Sequence, residues 1–335
     1  MSTVSIQGEG IAASCCARLL GSAGVPITMD ATSRPKLPAV MLNETTQKLL
    51  RDVFDRQDLF SDLPRIHRRV VLWGRDSETL TLPHSAVVMP EQLLLERIQQ
   101  RLSQNKQEQC GKPDWTVFAS ARLGSTSIEH HFGSRIATAS PVMLKPGCDE
   151  EACWIESLEH GWLFLLPIGE RNGWLLSVGA SAQSLLETGR LVKQQIDDPG
   201  PARGAFPSHP RIALPLCAPG WLACGTAAVA FDPLCGDGVG NAVREAILAS
   251  AVIRAAIGGG DADDLMAHYQ TRVLAGFQRH VSLCMDFYNS GHTGLWWNGQ
   301  LDHLKRGVAW CSQQLSSGAP RVRYRLNGFS LEPAD

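Results

Sequence analysis

Gly225-Thr226-Ala227-Ala228-Val229-Ala230-Phe231-Asp232-Pro233-Leu234-Cys235-Gly236-Asp237-Gly238-Val239-Gly240-Asn241-Ala242-Val243-Arg244-Glu245 places four glycines, a proline and an acid in a turn that runs into an apolar helix. Glycines there let a backbone come within contact distance of a ligand. The helix start offers free N–H groups and positive dipole character. Together they form a slot for something flat, electron-rich and partly anionic. A second glycine-rich turn, Gly8-Glu9-Gly10-Ile11-Ala12-Ala13, opens the chain. Two such turns at opposite ends of a sequence suggest one ligand gripped at both its ends.

The opening turn reads as a nucleotide site. Thr3–Gln7 is a short buried strand, and the helix after the turn carries Ile11, Cys15, Leu19 and Leu20 at helical spacing. Gly24 ends that helix, and 25–29 form a second strand closed by Asp30. In this βαβ unit Gly8 permits the tight turn and Gly10 lets the backbone approach a pyrophosphate on the helix N-terminus. Ala13 fills the third position, where helix and strand pack closely. Asp30 stands where a carboxylate can accept hydrogen bonds from ribose hydroxyls. The bland alternative is a structural glycine turn in an unrelated α/β domain.

The chain has 335 residues, enough for a large core and for two domains. Its net charge of −2 gives no basic field for nucleic acid. None of the ten cysteines forms a C-x-x-C pair, which argues against zinc. Their apolar surroundings suit buried free thiols in a reducing compartment. No signal peptide or membrane-spanning apolar run is legible, so the expectation is a soluble, cytoplasmic protein with no membrane span.

Further along, 45–59 reads as helix, 70–73 and 79–82 as a hairpin, and 90–102 as a helix opened by Pro90. Residues 136–182 carry β signals that predict an antiparallel sheet outside the nucleotide unit. Residues 195–210 read as irregular, and 261–317 as mostly helical. His130-His131 resembles a metal pair, but adjacent residues point apart on a strand or helix.

The late stretch resembles the second flavin motif of FAD-dependent monooxygenases of the class A hydroxylase type, usually written G-D-A-A…D-P…G-x-G. Gly225, Asp232, Pro233, Gly236, Gly238 and Gly240 match it, with Val239 between the last two glycines. Residues 38–46 resemble the G-E-(A/S)-T segment of the tryptophan-halogenase-like branch, with Glu44 and Thr45 in its matching places. Residues 161–167 are similar to that branch's W-x-W-x-I-P signature, and Trp296-Trp297 to its substrate-side tryptophans. Gln92 follows a helix start that contacts FAD in relatives.

The resemblance implies an α/β fold: a Rossmann-like FAD-binding domain, an inserted, mainly antiparallel β-sheet on the substrate side, and a helical C-terminal region. The implied boundaries are 1–60, 85–135 and 210–258 for FAD, 61–84 and 136–209 for the sheet, and 259–335 for the helices. It further implies an oxidoreductase that hydroxylates an electron-rich aromatic through a flavin C4a-hydroperoxide. The substrate would be a small molecule or a tryptophan of a partner protein, as for flavoproteins of tryptophylquinone biogenesis, and a separate flavin reductase is a further implied partner. The departures are specific. Thr226 replaces the aspartate of G-D-A-A, Asn43 replaces a glycine, and 119–122 does not match the A-x-G pattern of the hydroxylases. Residues 64–73 offer Arg65, His67, Arg68 and Arg69 but not the lysine halogenases need. A flavin-dependent reductase of a carbon–carbon double bond and a non-catalytic flavin-binding protein are the alternatives.

Overall fold

The computed structural model describes residues 2–30, 34–75, 77–99, 111–120, 123, 127–235, 237–317 and 324–334. Gly236, and the 121–122 pair of the expected A-x-G region, lie outside the described residues.

In chain order the elements begin with β1 (Val4–Gln7), α1 (Ile11–Ser22), β2 (Ile27–Asp30), β3 (Val40–Asn43) and α2 (Glu44–Phe54). Next come β4 (Arg65–Leu72), β5 (Leu80–Met89), α3 (Glu91–Gln99), β6 (Trp115–Phe118) and β7 (Ile128–His131). Four long strands follow: β8 (Ile136–Met143), β9 (Ala152–Leu158), β10 (Gly161–Gly169) and β11 (Asn172–Gly179). Short pieces come after them: α4 (Ala182–Thr188), β12 (Ala205–Pro207), β13 (Arg211–Leu214), β14 (Cys217–Ala218), β15 (Trp221–Ala223) and β16 (Val229–Ala230). Three long helices, α5 (Gly238–Ile257), α6 (Ala262–Asn289) and α7 (Leu295–Ser317), precede a terminal hairpin of β17 (Tyr324–Asn327) and β18 (Ser330–Pro333).

The opening unit folds as its sequence predicts. β1 alternates buried Val4 and Ile6 with half-exposed neighbours, and it pairs in parallel with β2 and β6. β15 joins β6 in parallel, giving the order β14-β15-β6-β1-β2. α1 buries nine residues, mostly small ones, because it lies between this sheet and α5. Cys16 illustrates the closeness: its Sγ is 3.9 Å from Cys224 Sγ and 3.8 Å from the Ala246 carbonyl oxygen. Burying the fully enclosed Leu20 of α1 contributes about 2–3 kcal/mol.

The second sheet has eight strands in the order β12-β8-β11-β10-β9-β4-β5-β3. Its pairs are antiparallel except β4 with β9. β3 and the whole of β5 belong to it, so the expected boundary near residue 85 falls inside a single strand. β7, β13 and β16 make a third, small sheet, and β12 orders part of the stretch expected to be irregular. The C-terminal region is helical to Ser317 and then turns into the β17–β18 hairpin. Among the described residues no helix is long and apolar enough to cross a membrane.

Candidate functional site

The first glycine turn is held open by backbone conformation. Gly8 and Gly10 have φ of 105° and 117°, a region that side chains disfavour. The Gly8 N–H donates to the Asp30 carbonyl oxygen at 2.8 Å, which sets the exposed Asp30 side chain beside the turn. Gly10 is the N-cap of α1, and no side chain caps that helix among the described residues. Its first N–H groups are thus left for another acceptor.

Across this turn lies Arg34, which the sequence reading missed. A Cβ on Gly10 would meet Arg34 Nη2 at 2.9 Å. The guanidinium ion-pairs with buried Glu91, and its Nε is buried without a hydrogen-bond partner. Glu9 accepts the Arg34 backbone N–H at 2.8 Å and pairs with Lys36. The Lys36 hydrogen bond chiefly holds the Glu9 carboxyl below its ordinary range. Each of these two cations beside the uncapped helix start is paired with a carboxylate, so an anion there would be met by the helix N–H groups and the Arg34 Nε–H. The one sequence signal for these cations is the Arg34-Pro35-Lys36 run just past the second strand. Gln92 is exposed and donates along its own helix to Glu96 at 2.9 Å; its neighbour Glu91 makes the link to Arg34 and the turn.

The second glycine-rich stretch converges on the first. Gly225 has φ of 57°, and a Cβ there would meet Ala12 Cβ at 2.7 Å and the Ala119 carbonyl oxygen at 2.9 Å. Ala12 is therefore small because the Gly225 turn passes over it, and its neighbour Ala13 is fully enclosed. Thr226 is exposed, and its carbonyl oxygen accepts Arg211 Nη2 at 2.5 Å.

α5 starts at Gly238, three residues after the 3-10 turn of Pro233–Cys235 ends. Its N-cap, Asp237, does not cap it. The Asp237 carboxylate instead accepts Thr46 Oγ1 at 2.9 Å, meets Asn43 Nδ2 at 3.5 Å and ion-pairs with Arg244. This ties the first turn of α5 to the first turn of α2. Asn43, the expected departure, caps α2 by accepting the Thr46 N–H at 2.8 Å. Glu44 and Thr45 are exposed in that same helix turn. Gly238 is exposed with open space where a Cβ would sit, Val239 is half-buried, and a Cβ on Gly240 would collide with Asp237 Oδ1 and Thr46 Oγ1.

Asp232 faces the interior. Its Oδ1 caps the Pro233 turn by accepting the Leu234 N–H at 2.9 Å. Its Oδ2 lies 2.9 Å from Arg135 Nη2 and accepts the Tyr288 hydroxyl at 3.0 Å. Arg135 and Asp232 are both fully buried, with the guanidinium 4.6 Å over the Tyr288 ring. Trp162 donates to Tyr288, and Trp297 donates to the Leu158 carbonyl oxygen; both indoles are enclosed core. His130 stacks on Trp310 while His131 meets His209, so the adjacent histidines do point apart.

The N-termini of α1, α2 and α5 thus gather around the two glycine-rich stretches, while Asp232 anchors from behind.

No family profile and no curated protein matches the chain. Solved structures match its fold over nearly its whole length. The flavin-dependent halogenase CmlS superposes with a TM-score of 0.74 at 17% identity, covering 99% of this chain and 84% of that one. The peptidyl tryptophan dihydroxylase QhpG, essential for tryptophylquinone cofactor biogenesis, gives 0.71 at 17% identity, covering 99% and 86%. PqsL of Pseudomonas aeruginosa, a probable FAD-dependent monooxygenase, gives 0.67 at 15% identity, covering 93% and 99%.

Proposed function

We propose that this chain, which has the fold of the FAD-dependent monooxygenases and halogenases, is a flavoprotein oxygenase acting on an electron-rich aromatic substrate. One observation carries the reading: among the described residues the starts of α1 and α5 have no side-chain cap, Gly225 packs on Ala12 in the first turn of α1, and Arg34 Nε lies buried without a partner beside Gly10. FAD would be held by the α1 N-terminus and Arg34 at the diphosphate, by Asp30 at the ribose, and by 225–240 at the ring end. When bound, FAD supplies the redox chemistry that activates oxygen. The chain's own work is placement, exclusion of water, and charge. The α5 dipole favours negative charge at its uncapped end.

Oxygenation is favoured over halogenation because β4 presents Arg65, His67, Arg68 and Arg69 and no lysine, and Arg68 is paired with Asp149. Likeness to a peptidyl tryptophan dihydroxylase supports extending the substrate class to a tryptophan borne by a partner protein. The cysteines among the described residues are all free thiols, which suits a reducing, cytoplasmic setting.

The test is reconstitution. Purified protein is titrated with FAD and followed by visible absorption, then reduced without oxygen and exposed to air with a panel of indoles, phenols and tryptophan peptides. A product heavier by one oxygen is expected. Failure to bind FAD overturns the reading. Oxygen-independent reoxidation by an alkene would assign the reductase instead, and a requirement for added flavin reductase would identify that partner.

A further inference from the structure

Behind the Pro233 turn three reactive side chains meet. Cys235 ends the turn, while His280 and Cys284 stand four residues apart on α6 and so share one face. The Sγ atoms of Cys235 and Cys284 are 3.5 Å apart, and Cys284 Sγ is 3.4 Å from His280 Nε2. The Asp232 backbone N–H donates to the same Nε2 at 2.8 Å, and the Phe231 ring packs edge-on against the imidazole at 4.7 Å. The histidine is therefore fixed in orientation and tied to the turn that carries Cys235.

The two thiols are unequal. Cys235 is half-buried, whereas Cys284 is fully enclosed. The Cys284 hydrogen bond chiefly pulls the Cys235 thiol down to about 6, against the upward push of burial. Burial pushes Cys284 well up. A reachable thiolate against a buried protonated thiol is the arrangement of an attacking and a resolving cysteine.

Three such ligand atoms within 4.8 Å could also hold a metal ion. The single in-plane lone pair of Nε2 is already taken by the Asp232 N–H, and the Asp232 carboxylate is committed to Arg135 and Tyr288. A metal would have to break the link that positions the turn, so the geometry favours the dithiol.

We propose that Cys235 and Cys284 form a peroxide-responsive dithiol that closes to a disulfide, with Cys235 attacking, Cys284 resolving and His280 as the positioning residue. The Cys235 thiolate attacks hydrogen peroxide; the O–O bond breaks, sulfur is oxidised to sulfenic acid, and a solvent proton completes the departing water. Cys284 sulfur then attacks Cys235 sulfur, the S–O bond breaks, and the leaving hydroxide takes the Cys284 proton as a second water. Thiolate, thiol, peroxide and one proton thus become disulfide and two waters. The sulfurs must approach from 3.5 Å to about 2.05 Å, drawing the turn before α5 toward α6. The inference rests on the proposed flavin function only for the source of peroxide, which reduced flavin releases when oxygen reduction is not coupled to substrate.

The test uses the full chain, reduced, desalted, and treated with one equivalent of hydrogen peroxide with and without FAD. We expect the denatured thiol count to fall by two, a non-reducing peptide map to join the Cys235 and Cys284 peptides, and dithiothreitol to restore both. Cys284→Ser should stall at a sulfenic acid on Cys235 that dimedone traps. Cys235→Ser should leave Cys284 unmodified at that dose. An unchanged thiol count, a linkage between other cysteines, or one equivalent of tightly bound zinc that must be chelated before the thiols react would overturn the proposal. These readouts do not need flavin, so their failure leaves the FAD reading standing, and failure of FAD binding leaves them readable.

Discussion

Gly225 and Glu245 are hydrogen-bonded across the full length of the glycine-rich stretch: the Gly225 N–H donates to Glu245 Oε2 at 2.7 Å inside the core. The helix that follows the turn thereby holds the residue that begins it. Burial pushes the Glu245 carboxyl up to about 8, and the Gly225 hydrogen bond only partly opposes it. At neutral pH this group is chiefly the neutral acid.

A raised folded-state pKa means that the fold binds this proton more tightly than the unfolded chain does. Its stabilising effect is complete below the unfolded value of 4.5 and is lost as pH rises to about 8. Within that window wild type should lose up to about 1.4 kcal/mol per pH unit from this group. Glu245→Gln keeps the acceptor and cannot ionise. Urea unfolding should therefore show the variant gaining on wild type as pH rises, with the difference levelling off above the folded value. A difference independent of pH would contradict the assignment.

The Arg135–Asp232 pair predicts a large stability effect. Both groups are buried, so removing one leaves the other's charge uncompensated. Asp232→Asn or Arg135→Met should each cost about 3–5 kcal/mol, and the double variant should cost clearly less than the sum. Chemical denaturation of the four proteins measures this coupling. Additive losses would mean that the two groups do not interact.

Gly238 and Gly240 separate ligand binding from folding. No described residue lies within contact of a Cβ on Gly238, so Gly238→Val should leave stability within roughly 1 kcal/mol while abolishing FAD binding. A Cβ on Gly240 forces Asp237 and Thr46 apart, so Gly240→Ala should cost about 1–3 kcal/mol with or without flavin. Unchanged FAD affinity in folded Gly238→Val would move the ring end away from α5.

Arg34 should act on the diphosphate in addition to its pairing with buried Glu91. Loss of a charge-assisted hydrogen bond worth about 1.5–3 kcal/mol would weaken FAD by roughly ten- to a hundredfold in Arg34→Gln. Riboflavin, which lacks the diphosphate, should bind the variant as it binds wild type. Equal weakening of both ligands would show that Arg34 acts on the fold through Glu91 instead.

The sequence by itself determined the βαβ opening, the antiparallel insert and the long helix after Gly238, because each rests on local signals: alternation in Val4–Gln7, small residues through α1, and glycines where φ is positive. It also marked both glycine-rich stretches. Only the tertiary structure decided what surrounds them. Arg34 reaches Glu91 across 57 residues, and Arg135 reaches Gln300 across 165. Asp232 matches the flavin motif in sequence, and in the fold its carboxylate caps its own turn and pairs with Arg135; Cys235 at the end of that turn meets Cys284. Backbone conformation depends on a residue and its neighbours, so a sequence displays it. The partner of a buried charge or thiol depends on which distant segment packs over it, and that is settled only when the core closes.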